Sequence, residues 1–137
     1  MDESLNLVLF SGTDDKLQAA AILAAGAAAL GRPVNIFLQY WALDAFRADR
    51  IDRDHGLAPE AGVEGRGHVD ALRAAGQASW AETMLQAKEL GGVDIQACSL
   101  SMDLLGLEQT DLDPLVDGVE GVTAFYLNAG AGQIVFI

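Results

Sequence analysis

One residue in this chain stands where its chemistry would matter. Cys98 is the lone cysteine, preceded by the run Val93-Asp94-Ile95-Gln96-Ala97 and followed by Ser99, Ser101 and Asp103. Such a run, bounded by Gly91-Gly92, reads as a buried strand, and 99–105 reads as a short helix stopped by Gly106. A thiol at that junction meets the unpaired N–H groups of the next helix. These favour an anion, and the thiolate is the nucleophilic form. The sequence therefore predicts an accessible, reactive Cys98, with Ser99 and Ser101 as hydroxyl donors and Asp103 as an opposing charge. The bland alternative is a small buried hydrophobe, which is what a free cysteine commonly is.

Other chemistries find less support. Ser11-Gly12-Thr13 follows the first apolar run and opens a helix, a place where an anion can bind, although a plain strand-to-helix turn is the stronger reading. There is no phosphate-cradling G-x-x-x-x-G-K-[ST] and no G-x-S-x-G elbow. Asp52, Asp54 and His55 have no recognised metal-ligand spacing, so neither a metal nor a cofactor is expected. One cysteine also excludes an intrachain disulfide and a two-cysteine redox cycle.

The elements that must position Cys98 follow from the pattern along the chain. Residues 5–10, 34–38, 93–97, 115–119 and 133–137 read as strands. Residues 16–30, 79–90, 99–105 and 121–129 read as helices; Thr13 and Asp14 are cap candidates for the first, and Ser79 with Glu82 forms a capping box. Alternating strands and helices predict an α/β domain, a three-layer sandwich on a mostly parallel sheet of about five strands. Residues 43–77 break the rhythm. They are rich in Arg, Asp and Gly, hold both histidines, and show no sustained period. They read as a polar, mobile excursion with a helical turn near 43–50, either a tolerated surface insertion or a lid or partner surface over the cysteine edge.

With 137 residues the chain forms one domain, 1–137, long enough to bury a core without staples. Its formal charge of −12 argues against a nucleic-acid module and against an anionic membrane surface. The start, Met1-Asp2-Glu3-Ser4, lacks the basic region of a signal peptide, and a cytoplasmic protein is expected. Hydrophobic residues make up 51% of this small chain. With Tyr40, Trp41, Phe125 and Tyr126 near the expected crevice edge, that surplus predicts self-association.

The segment Ala97-Cys98-Ser99-Leu100-Ser101-Met102-Asp103-Leu104-Leu105-Gly106 resembles the cysteine motif of the DsrE/DsrF-like family, in the branch reading roughly A-C-x-M-S-M-D-x-M-G. Phe10-Ser11-Gly12 with Asp15-Lys16 resembles the family's first strand and turn. Phe37 to Leu43 resembles its F-x-x-F-W-G-L segment, and Asp117-Gly118-Val119 with Tyr126-Leu127 its C-terminal pattern. Leu100, Leu105 and Ala42 depart from the family's Met, Met and Gly, and 43–77 departs most. The resemblance implies sulfur handling: a persulfide-carrying relay protein or sulfurtransferase acting through Cys98, in a homo-oligomer. Rhodanese-like or TusA-like proteins would be its sulfur donors and acceptors. Binding roles would fall to Ser11, Gly12, Thr13, Tyr40, Trp41, Ser99, Ser101, Met102 and Asp103. Two alternatives stand beside it: a module binding a small anionic or nucleotide-like ligand, and an assembly subunit with a structural cysteine.

Overall fold

A computed structural model describes residues 3–137. Its centre is a five-stranded sheet, β1 Leu5–Leu9, β2 Val34–Leu38, β3 Val93–Cys98, β4 Gly118–Glu120 and β5 Gln133–Phe136, in the order β4-β3-β2-β1-β5. All four pairings are parallel, so the expected sheet is present with no antiparallel strand. Six helices surround it: α1 Asp14–Ala29, α2 Tyr40–Ala45, α3 Gly62–Ala74, α4 Trp80–Leu90, α5 Ser99–Leu105 and α6 Val122–Ala129. None of the helices is long and apolar enough to cross a membrane, among the described residues.

Side-chain alternation divides the sheet. Leu5, Leu7, Leu9, Val34, Ile36, Leu38, Ile95 and Ala97 join the main core with Leu17, Ala20, Ala24 and Met84 of α1 and α4. Small alanines let α1 lie close to α4. The opposite face carries a smaller cluster, Phe37, Cys98 and Phe125 with Val8 against it, and α6 covers it. The Phe37 and Phe125 rings stack at 5.0 Å, a favourable offset-stacking distance. The capping box at Ser79 forms as expected, Ser79 Oγ accepting from Glu82 N–H at 3.1 Å. Gly106 ends α5 in the left-handed conformation that suits glycine.

Three sequence expectations need correction. The fourth strand is Gly118–Glu120, not 115–119; Leu115 and Val116 are instead buried in the core as connection, after the Asp113-Pro114 break. The helical turn near 43–50 begins earlier, as α2 at Tyr40. Residues 43–77 are not irregular throughout, for α3 occupies thirteen of them. Glycines at 62, 65 and 67 mask its period, while Arg66 approaches Asp70 one turn on, at 3.5 Å.

Candidate functional site

Three loops meet at the C-terminal edge of the sheet, and hydrogen bonds lock them. Gln39 N–H donates to Leu9 O at 2.9 Å, and Ala42 N–H donates to Phe10 O at 3.0 Å. Tyr40 N–H donates to Ser101 Oγ at 3.2 Å, tying the start of α2 to α5. Tyr40 holds a φ of +44°, a strained value for a residue with a Cβ. The β1–α1 turn passes so close to α2 that a Cβ on Gly12 would overlap the Trp41 carbonyl. The expected residues Ser11, Gly12, Thr13, Tyr40, Trp41, Cys98 and Ser101 thus belong to one edge of the sheet.

Cys98 is the last residue of β3 and immediately precedes α5. Its thiol is free and the residue is buried, 6% exposed, so the expectation of an accessible thiol is corrected. Strand alternation explains this: with Ala97 facing the main core, Cys98 points to the other face, against Phe37 and Phe125. The neighbouring side chains divide by role. Ser101 is buried and its oxygen is occupied by Tyr40 N–H, while Ser99 and Asp103 face solvent. Met102 is packed into the main core, so it supports α5 rather than facing a ligand. Phe125 is buried in the monomer, whereas Trp41 and Tyr126 are 55% and 60% exposed.

The start of α1 is already occupied, which weakens the anion-binding alternative. Thr13 is the N-cap but makes no side-chain cap bond. Asp14 N–H donates to Gly56 O at 2.9 Å, and Lys16 N–H donates to Asp15 Oδ1 at 3.0 Å. Two carboxylates in the first turn then repel an incoming anion. Burial raises the pKa of Asp15, but hydrogen bonds, those from Ala58 and Lys16 N–H among them, outweigh it and hold the carboxyl below its ordinary range.

Sequence reasoning missed the role of Asp14. Its carboxylate is buried and accepts from Trp80 Nε1 at 3.0 Å, His55 N–H at 3.1 Å and Arg73 Nη2 at 3.1 Å. Residues 47–77 are thereby fastened to the starts of α1 and α4, the helices on the face opposite the cysteine. The expected lid over Cys98 is corrected accordingly; this segment shares the sheet edge and covers the other side of it. The signal in the sequence was the pair Asp14-Asp15 itself, one acid more than a dipole requires.

A second, half-buried acid marks the β3–β4 pair. Glu120 lies opposite Cys98 in the parallel register. Burial, and then the nearby Asp94 carboxylate, raise its pKa. The fold thus prefers the protonated form. The associated stability is fully present below the ordinary value of 4.5 and is lost as pH rises through the elevated one. Glu120→Gln should therefore raise the urea midpoint at neutral pH. The gain should vanish below 4.5, and a gain independent of pH would refute this account.

A parallel five-stranded α/β sandwich carrying a single thiol at the carboxyl end of a central strand is the class these features define. The chain belongs to the DsrE/DsrF/DrsH-like family, whose model matches residues 1–61 and 61–137. It is 29% identical over 149 residues to the uncharacterized protein YrkE of Bacillus subtilis strain 168, spanning 93% of this chain and 92% of that one. Among solved structures it is similar to the ychN protein of E. coli, with a TM-score of 0.59 and 12% identity over 100% of both chains. It is also similar to the protein of unknown function MTH1491 of Methanobacterium thermoautotrophicum. There the TM-score is 0.53 and the identity 16%, over 99% of this chain and 100% of that one. At these identities the structures speak for the fold.

Proposed function

We propose that this protein carries sulfane sulfur as a persulfide on Cys98 and passes it on. The observation that supports this most is the position of the chain's single thiol, at the end of β3 and the start of α5, inside the 97–106 motif. The exchange balances with one cysteine. The Cys98 thiolate attacks the outer sulfur of a donor persulfide, forming Cys98–S–SH and releasing the donor thiolate. An acceptor thiolate then attacks that outer sulfur, and Cys98 leaves as thiolate. No net oxidation occurs. Rhodanese-like and TusA-like proteins are the donors and acceptors of this reading, and the cytoplasm is its compartment. Ser11, Gly12, Thr13, Tyr40, Trp41, Ser99, Ser101 and Asp103 shape the edge, and Met102 anchors α5 beneath it.

Burial of Cys98 adds a requirement: the sulfur must be uncovered before it can react. The cover is Phe125, carried on the eight-residue α6. The intact protein incubated with polysulfide should gain the mass of one sulfur atom. Reductant should remove it, and Cys98→Ala should never acquire it. A native protein that stays unmodified, or a variant loaded equally, would sink the proposal.

Self-association belongs to the same reading. Leu100 and Leu104 of α5, Tyr126 and Leu127 of α6, and Ile134 and Phe136 of β5 are 44–78% exposed. So much exposed apolar surface on the cysteine-bearing side fits a contact with a second copy. Sedimentation at micromolar concentration should show species larger than 14.4 kDa, and Leu127→Asp should shift them toward the monomer. A wild-type monomer under those conditions would refute the contact.

A further inference from the structure

Helix α3 is anomalous. It runs for thirteen residues, yet none of them is buried. Glycines at 65 and 67, and Gly62 at its start, lower its intrinsic helix propensity against alanine. Neither propensity nor burial therefore accounts for it. What attaches it is charge: Arg66 pairs with Asp54 at 2.8 Å, and Arg73 with Asp14 at 3.1 Å and with Asp54 at 4.0 Å.

Its inner face nevertheless has an apolar side. Val69 and Leu72, one turn apart, line a cleft of about 590 Å³ that separates α3 from α1 and α4. Ile22 and Trp80 form part of the facing walls. Leu72 and Ile22 are 49% and 56% exposed because the gap lies beside them. The volume falls within the roughly 300–1,000 Å³ of small-molecule sites.

The charge of the lining selects the guest. Arg73 is committed to Asp14, and Asp54 to Arg66. Asp15, Asp52 and Glu82 then face a single remaining cation, Arg53, in a chain of net charge −12. Asp54 stays ionised, chiefly because Gly56 N–H donates to it, with Arg66 adding to the effect against a smaller opposing burial. An anion would be repelled here, and a neutral apolar guest would leave carboxylates facing it without compensation.

We propose that the cleft beneath α3 binds a small organic cation with an apolar body, and that such a guest holds α3 against the rest of the domain. The apolar body lies between Leu72 and Ile22, and the cationic head meets Asp15, Asp52 and Glu82. The site is separate from Cys98 and independent of the sulfur reading.

The test compares three probes of one shape: 2-phenylethylamine, 2-phenylethanol and phenylacetate. Binding is read from Trp80 fluorescence in a Trp41→Phe background and from hydrogen exchange across residues 62–74. The amine should bind saturably and slow exchange in α3 about tenfold, a coupling of ordinary allosteric size. Phenylacetate should do neither, and the alcohol should bind more weakly than the amine. Asp52→Asn, at an exposed position, should weaken the amine about threefold, the effect of one partly screened charge. Equal responses to amine and acid, an unaltered affinity in Asp52→Asn, or α3 exchange indifferent to the amine would each overturn the proposal. So would exchange in α3 as slow as in α4 before any probe is added.

Discussion

Asp14→Ala is expected to destabilise the fold by about 3–5 kcal/mol, a large part of the 5–15 kcal/mol that holds a domain of this size. The side chain that disappears is a buried carboxylate with three donors. Its removal leaves the Trp80 indole N–H buried without a partner and frees the Arg73 guanidinium from its closest acid. An unsatisfied buried donor alone costs about 1–3 kcal/mol, and loss of the charged partner adds to it. Asp14→Asn keeps the shape and one accepting oxygen, so it should lose less than half as much. The measurement is a urea titration of the two variants beside the parent, with limited proteolysis reporting release of residues 47–77. If Asp14→Ala costs under about 1 kcal/mol, the carboxylate is not what fastens this segment.

Gly12→Ala should also destabilise the fold, by about 1–3 kcal/mol, because the added methyl has no room. It would overlap the Trp41 carbonyl oxygen and come within 2.8 Å of the Trp41 carbonyl carbon. Backbone atoms are the obstacle, so no rotamer change relieves it. The neighbouring bonds, Gln39 N–H to Leu9 O and Ala42 N–H to Phe10 O, resist displacement of α2. Strain would then pass through the Tyr40–Ser101 bond to α5 and so to Cys98. Gly12→Ala should therefore alter the rate of Cys98 alkylation as well as the melting temperature. Gly26→Ala, inside α1, is the matched control, since nothing lies within 4 Å of its added Cβ; it should leave alkylation unchanged and raise the melting temperature slightly, alanine being the better helix former. Equal behaviour of the two variants would refute the close-approach argument.

The architecture was legible because its signals are local. Short runs of strand-forming residues bounded by glycine marked β1, β2 and β3, and the Ser79–Glu82 spacing marked the start of α4 within a residue. The sequence also placed Cys98 correctly at a strand–helix junction. Its burial was not legible, because it depends on which side of the sheet the last strand residue faces and on whether α6 reaches it. That is settled by Phe125, more than twenty positions away. Helix α3 was missed for a related reason. Periodicity finds helices that bury a stripe, and α3 buries none. Asp14 resembled an ordinary helix-start acid; its partners at 55 and 73 come from a segment that looked structureless, and Trp80 opens the helix beyond it. For β4, Leu115 and Val116 supplied the apolar pattern of a strand while serving as buried connection, and the pairing moved to the glycine and glutamate beyond.

The neighbouring pair β1 and β5 has a consequence for how the chain reaches this structure. The Asn6 side-chain amide donates to Gln133 O, 127 positions away, and Leu5 to Val8 pair in register with Gln133 to Phe136. Strand β1, made before the other strands of this sheet, therefore waits for β5 before one of its two edges is satisfied. Until then an uncharged, hydrogen-bond-hungry margin at β1 stays open on the nascent chain, the kind of surface that chaperones mask. Wide separations between pairing partners also slow folding. Ribosome-stalled chains ending before Gln133 should accordingly remain protease-sensitive through β1, and the release of the final strand should be the event that closes the sheet.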